Sequence, residues 1–160
     1  MAENRPSKHV WESRTEQIQI LMPEHINGYN RLFGGKLVEW IDIVAAVAAR
    51  RHSNRNVTTV TIDNLQFKSP ARVNSTLVLT ANLTHVGKTS MEVRVDTFVE
   101  TLQGTKTLIN RAFLVMVALD ENDNPTSVPL LIADTDEEKA EMESGARRRE
   151  LRKQRLLENY

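Results

Sequence analysis

Residues 37–49 constrain this chain more than any others: eleven of the thirteen are apolar, and the exceptions are Glu39 and Asp42. A surface helix keeps one polar face, so a helix that is apolar all round belongs in a core. The run is well short of the ~18–20 residues that span a bilayer. Arg50, Arg51 and His52 follow it and place cations where the C-terminal end of a helix dipole favours them. The sequence therefore predicts one buried helix, which the rest of the chain must cover.

Beyond the helix the hydrophobic period changes from 3.6 to 2. Residues 57–69 are rich in β-branched side chains and stop before Pro70. Leu77, Leu79, Ala81 and Leu83 alternate with Val78, Thr80, Asn82 and Thr84, and Met91, Val93 and Val95 with Glu92, Arg94 and Asp96. Residues 113–119 are apolar on both faces, which suits a central, doubly covered strand. Val86-Gly87-Lys88 and Gln103-Gly104-Thr105 are short enough to join antiparallel hairpins. Upstream, residues 15–22 read as a short strand ended by Pro23, followed by a loop with Asn-Gly and Gly-Gly turn chemistry.

Strand, helix and four long strands make an α+β domain of two layers, an antiparallel sheet curled around one helix. Such a sheet leaves strand edges open, which favours pairing with a second copy. The expected organisation is a flexible N-terminus over residues 1–12, a domain over 13–134 and a charged helix over 135–160. Thr135 and Glu138 form a capping box for that helix, acids crowd its start and arginines its end, and Gly145 weakens its middle.

Composition removes several kinds of chemistry. There is no cysteine, hence no disulfide, thiolate nucleophile or Cys-based metal site. Lys plus Arg and Asp plus Glu are each 21, so no global field draws the chain to nucleic acid or a membrane surface. No apolar leader opens the chain, and a cytoplasmic location is expected. A nucleophile elbow, a P-loop, a dinucleotide fingerprint and the HExxH motif are all missing. The four histidines lack metal-ligand spacing and are expected on the surface or in loops. Neither metal nor cofactor is expected.

The carboxylate within the apolar run is the chemical anomaly. Burying an ionised carboxylate without partners costs several kcal/mol. Asp42 shares its helical face with Gly35, Val38, Ala45, Ala46 and Ala49, mostly small residues. It is therefore either the floor of a cavity or a carboxylate turned to solvent or bonded to a neighbouring loop. Glu39 sits in the first turn, where an acid simply suits the dipole. The amides of Gly34 and Gly35 at the helix start can hold an anion or a polarised carbonyl, within reach of a water on Asp42, or they form a plain tight turn.

The pattern Asn27-x-x-x-x-x-Phe33-Gly34-Gly35-x-Leu37-x-x-Trp40-Ile41-Asp42 resembles the signature of hotdog-fold acyl-CoA thioesterases with one domain per chain. Asp63-x-x-x-Phe67-x-x-Pro70 resembles their strand leaving the helix, and Val86-Gly87-Lys88-Thr89-Ser90 their coenzyme-side hairpin. Asn30 and Asn74 stand where the family usually has glycine; Asn is the best substitute if these are left-handed positions.

The resemblance implies a hotdog fold, hydrolysis of acyl-CoA, and assembly as dimers and commonly trimers of dimers. It also implies a site at the dimer interface, with Asn27 and Asp42 from opposite subunits. In that reading the Gly35 amide polarises the thioester carbonyl, Asp42 is general base or nucleophile, and Asn27 orients the water or the carbonyl. Coenzyme A carries phosphates, so Lys88, with the Thr89 and Ser90 hydroxyls and a free Gly87 amide, is the first expected anion site, followed by Arg147, Arg148 and Arg149 on the tail helix. Val38, Thr59 and Phe67 are expected to line the acyl pocket; Thr59 and Phe67 share a strand face if no bulge intervenes. Coenzyme A is then part of the substrate, and no nucleic acid or membrane partner is expected. Two alternatives remain. One is a non-catalytic acyl-CoA-sensing module, kept open by the basic tail; the other is an enoyl-CoA hydratase-type enzyme using His25.

Overall fold

The computed structural model describes residues 4–159. In chain order the elements are β1 (Ser7–His9), α1 (Val10–Ser13), β2 (Thr15–Ile20), a 3-10 turn at Pro23–His25, α2 (Gly34–Ser53), β3 (Asn56–Phe67), β4 (Thr76–Val86), β5 (Ser90–Glu100), β6 (Lys106–Leu119), β7 (Leu130–Ile132) and α3 (Asp136–Leu157). Five strands form one antiparallel sheet in the order β2-β4-β5-β6-β3, so β2 and β3 are its edges. Residues 113–119, expected at the centre, lie in β6, an interior strand one place from the edge; β5 is central.

The inner face of the sheet packs on α2. Trp40, Ile41, Val44, Ala45, Ala48 and Ala49 meet Leu77, Leu79, Leu83, Val93, Val95, Leu114 and Met116 in one core. Each large aliphatic side chain buried this way contributes about 1.5–3 kcal/mol. The helix ends where Asn54 turns left-handed (φ 55°) and its amide closes on the Arg50 carbonyl. Asn30 and Asn74 are also left-handed, at φ 59° and 69°, as expected where they stand in for glycine. One expectation fails in the single chain: α2 is not buried all round. Ile43 is 48% exposed and Val38, Asp42, Ala46 and Val47 are half-buried, because the sheet covers only one side of the helix.

β3, the strand beside that uncovered stripe, carries two bulges, between Thr59 and Thr61 and between Asp63 and Gln66. Each inserts one extra residue and turns the following side chains to the opposite face. Two such inversions cancel. Thr59 pairs with Met116 and Phe67 with Asn110, six residues apart on β6, so both face α2.

α3 packs on the outer face of the sheet. Gly145, read from the sequence as a weak point, is where the helix comes closest: a Cβ there would stand 2.7 Å from the Cβ of His85 and 3.4 Å from the Thr84 carbonyl oxygen. The contact is charged rather than greasy. Arg148 and Arg152 bond Glu92, Arg94 and Arg148 bond Glu141, and Arg155 bonds Asp63.

The N-terminal segment expected to be flexible is built into the fold; residues 1–3 lie outside the described residues. β1 pairs in parallel with β7, and the Lys8 ammonium donates to the Arg51 carbonyl and Asn54 at the end of α2. His52 also departs from expectation. It is wholly buried, its Nε2 2.9 Å from the Pro129 carbonyl oxygen, and burial lowers its pKa. Among the described residues, no helix is long and apolar enough to cross a membrane and no group of three or more acids and histidines could hold a metal ion.

Glu92 generates a prediction about acid stability. It is 2% exposed and accepts from Thr84 Oγ1 (2.6 Å), Arg148 Nη2 (2.7 Å) and Arg152 Nη1 (2.9 Å). Burial pushes its pKa up, but the hydrogen bonds from Arg148 and Thr84 and the charge of Arg148 outweigh that, and the net shift is downward. A lowered folded pKa contributes stability that is fully present above the unfolded pKa and is lost as pH falls through the folded value. Urea unfolding should therefore show this contribution intact down to about pH 4.5 and declining below it. Glu92→Gln should lose about 3 kcal/mol at pH 7 and show a shallower acid decline. An identical decline in the variant would place the acid sensitivity elsewhere.

Candidate active site

Two clusters of the expected residues form at opposite ends of the inner layer. At the start of α2 a hollow of about 340 Å³ is lined by Asn27, Arg31, Gly34, Leu37, Phe67, Lys68 and their neighbours. The fold builds it from a turn and a helix end. Asn27 Oδ1 accepts the amides of Tyr29 (3.0 Å) and Arg31 (3.3 Å), bending the chain back toward α2. That geometry occupies the carbonyl side of the carboxamide and leaves its NH₂ as the group Asn27 can offer a ligand. Phe33 precedes the helix in an extended conformation, and its carbonyl accepts from Lys36 and Leu37. Among the described residues, the Gly34 and Gly35 amides have no acceptor, as the first turn of a helix requires when no side chain caps it. A Cβ at Gly35 would lie 2.7 Å from the Phe33 ring, so a larger residue there would push the ring aside.

Asp42 does not line this hollow. It is half-buried midway along α2, where its Oδ1 accepts a 2.6 Å hydrogen bond from Thr59 Oγ1 on β3. The sequence left open a cavity floor or a carboxylate turned to solvent or a loop; in the single chain Asp42 is half-buried outside the hollow and is held by a strand hydroxyl. The bond fixes one oxygen, and among the described residues Oδ2 has no partner. Thr59, expected only as a pocket-lining residue, is thus also the residue that orients Asp42. Nothing in the sequence pairs a threonine 17 positions away with Asp42 before the β3 register is known. Val38 is half-buried one turn before Asp42, and Phe67 reaches the hollow, its ring 3.4 Å from where a Gly34 Cβ would be.

The Gly35 amide and Asp42 are seven residues apart, which is ~10 Å along a helix at 1.5 Å per residue. A single chain therefore does not bring a water on Asp42 to a carbonyl held by its own Gly35, contrary to the reach expected from sequence. The hairpin belongs with Asp42 instead. Ser90 shares a row of the sheet with Val117 and Thr58, next to the row of Met91, Met116 and Thr59. Phe67 and the hollow lie six residues of β6 away, ~20 Å at strand rise.

Within the hairpin the Gly87 amide is not free: it donates to the Ser90 carbonyl (2.8 Å), while the Gly87 carbonyl accepts from Arg5 Nη2 (2.8 Å). Arg148 is taken up by Glu92 and Glu141 and stacks 3.8 Å over the Phe113 ring, and Arg147 is exposed and bonded to Ser144. Glu39 pairs with Lys36 at 2.8 Å on the surface, a structural role as expected. His25 is also spoken for. Its Nδ1 accepts the Met22 amide, its ring meets Trp40 edge-on at 4.9 Å, and it does not line the hollow.

Known proteins share this fold. The family model described as Thioesterase superfamily matches residues 29–105. A Bacillus subtilis (strain 168) protein, named uncharacterized acyl-CoA thioester hydrolase YkhA, is 38% identical over 79% of this chain and 74% of its own length. A solved apo-hexameric acyl-CoA thioesterase superposes with a TM-score of 0.91 at 41% identity, covering 94% of this chain and 97% of that one. The acyl-CoA hydrolase of Staphylococcus aureus, solved with butyryl coenzyme A and coenzyme A, does so with a TM-score of 0.92 at 30% identity over 96% and 94%. That enzyme has also been solved with an aspartate, an asparagine or a threonine replaced by alanine. This chain belongs to the thioesterase superfamily, among its hotdog-fold acyl-CoA thioester hydrolases.

Proposed function

We propose that the chain hydrolyses acyl-CoA thioesters in a site shared by two copies, Asp42 and the hairpin coming from one and Asn27 and Gly35 from the other. The observation that carries this reading is the separation just described. One chain holds a carboxylate with a fixed rotamer and a free oxygen, and a set of free donors beside a hollow, too far apart to act on one bond. The uncovered edge supports it. Ile43 on α2 and Val60, Ile62 and Phe67 on β3 are 48%, 60%, 37% and 55% exposed, and β3 has an unpaired edge. The hexameric relative makes a trimer of dimers the assembly to look for. The three residue types replaced in the S. aureus enzyme are those of Asp42, Asn27 and Thr59.

A thioester is already activated toward water, so the site needs a nucleophile in place and somewhere for carbonyl charge to go. The Gly35 amide, at the positive end of α2, receives the carbonyl oxygen as it gains charge. The Asn27 NH₂ is a donor only, so it holds that oxygen or a lone pair of the water and takes no proton. Asp42 Oδ2 removes a proton from the attacking water, or attacks the carbonyl carbon to give a mixed anhydride that water then opens. Thr59 keeps Oδ1 from swinging away. In either course the C–S bond breaks, coenzyme A leaves as the thiol, and the acid is released. Gly87, Lys88, Thr89 and Ser90 form the coenzyme side. Val38, Thr59 and Phe67 line the acyl side, Phe67 from the copy that gives Asn27. The occupied His25 ring argues against the hydratase alternative, and the complete donor and carboxylate set against a purely sensing module.

Thiol release measured over short, medium and long acyl-CoAs should show turnover for at least one class; no turnover with any would overturn the proposal. Asp42→Asn should keep the oligomer and lower kcat by about a hundredfold or more, and a kcat like the parent's would remove Asp42 from the chemistry. Mixing Asp42→Ala with Asn27→Ala chains provides the test of sharing. Hybrids contain one intact site in two, so activity should partly return on mixing and refolding, whereas hybrids as inactive as the separate variants would refute a site built across two copies.

A further inference from the structure

β3 and β6 are both irregular at one place, and a single residue stands between the two irregularities. Between Asp63 and Gln66, β3 carries one residue more than β6, with Asn64 left-handed at φ 57°. Between Leu108 and Asn110, β6 carries Ile109 as an extra residue against Thr97 and Phe98 of β5. Bulges next to a site re-aim the side chains around them. Here the residues delivered are Phe67, one position past the first bulge, and Ile109, the extra residue of the second; both line the hollow at the start of α2. Asn110, the register partner of both Phe67 and Thr97, is wholly buried and does not line it.

The Asn110 carboxamide braces the first bulge. A bulge interrupts the ladder, and side-chain donors can stand in for ladder bonds. Asn110 Nδ2 donates to the Gln66 carbonyl oxygen at 2.5 Å, so a side chain of β6 grips the residue immediately before Phe67. The Lys68 amide, donating to the Ile109 carbonyl at 2.9 Å, grips the residue immediately after it. The Phe67 backbone is thus held on both sides, with the ring 3.4 Å from where a Gly34 Cβ would be.

The brace weakens the core it sits in. Asn110 Oδ1 has no partner among the described residues, and neither has Thr97 Oγ1 on the paired position of β5, although both residues are wholly buried. An apolar side chain of the same size would fill that space without unmet hydrogen bonds. A carboxamide that is destabilising at one end calls for a reason at the other, and its other end holds the bulge.

We infer that Asn110 is a positioning residue for hydrolysis: by bracing β3 through the Gln66 carbonyl it keeps Phe67 across the hollow, and so sets which acyl chains the site accepts. This rests on the hydrolase reading above and deepens it, because it traces acyl selectivity to a side chain that touches no substrate.

The test measures kcat and KM for butyryl-, octanoyl- and palmitoyl-CoA on the full chain, on Asn110→Ala, on Phe67→Ala and on the double variant. Asn110→Ala should cut the lead of the parent's preferred acyl chain over the other two, in kcat/KM, by about fivefold or more, since a displaced wall in an apolar pocket acts like a missing methylene. Phe67→Ala should change the profile in the same sense. The double variant should match Phe67→Ala, because a residue that acts only through the ring has nothing left to act on. A fall by one common factor for all three acyl-CoAs, independent effects of the two substitutions, or a parent without preference among the three would overturn the assignment. Asn110→Leu keeps the volume and removes the donor, and it carries the same comparison if Asn110→Ala does not fold; failure of both to fold would make Asn110 a residue of the core alone and end the proposal. Fluorine NMR of the chain labelled with para-fluorophenylalanine reads the ring without turnover, the Phe67 line being the one of four that Phe67→Leu removes. That line should move in the folded Asn110 variant. A moved line in a chain that hydrolyses nothing upholds the positioning and sinks the hydrolase reading, whereas an unmoved line in an active enzyme sinks this inference alone.

Discussion

A single five-stranded sheet can cover one side of a helix, and α2 needs more than one side covered. The rest of the molecule follows from that deficit. The buried stripe of α2 supplies the core, while the opposite stripe, with Ile43 and Asp42, is left beside an edge strand whose outward side has no strand partner among the described residues. Burying a carboxylate fully in one chain would demand a permanent counter-charge. Leaving it half-covered and tethered by one hydroxyl keeps an oxygen available without that demand.

The other face of the sheet solves the opposite problem. Its residues are charged where most sheets are greasy, and α3 is attached by its own arginines on Glu92 and Asp63 and by Arg94 of the sheet on Glu141. A contact of this kind depends on direction in a way that apolar packing does not, because bidentate guanidinium bonds fix register and rotation together. Gly145 supplies the close approach that brings the helix backbone against His85, Glu92 and the Thr84 carbonyl. The two layers thus divide the work: apolar packing stabilises the domain, and the ionic layer fixes where the helix sits relative to the hairpin.

Much of this was legible in the sequence, for reasons that differ by element. The 3.6-to-2 switch after residue 55 located α2 and the four strands because periodicity reports burial directly. Asn30 and Asn74 announced left-handed turns because few other residues tolerate them. Asp42 stood out because a lone acid in an apolar run is costly. What was not legible depends on contacts distant in the chain. The parallel pairing of β1 with β7 joins segments over 120 residues apart and leaves no local period in so short a strand. The Thr59 bond to Asp42 requires the β3 register, and the occupation of Arg148 requires knowing that Glu92 points outward. The polar character of residues 4–12 suggested a loose arm because composition does not reveal that a lysine will bond the end of a helix.

The paired bulges of β3 have a consequence for how this strand can vary. Thr59 and Phe67 face the same layer because the two one-residue inversions that lie between them cancel. A lone insertion or deletion in that interval would leave an odd number, turning either the hydroxyl or the aromatic ring toward the wrong layer, while two compensating changes would leave both in place. The length of this segment is therefore governed by parity: what must be preserved between the two positions is evenness, more than any particular residue in the stretch that separates them.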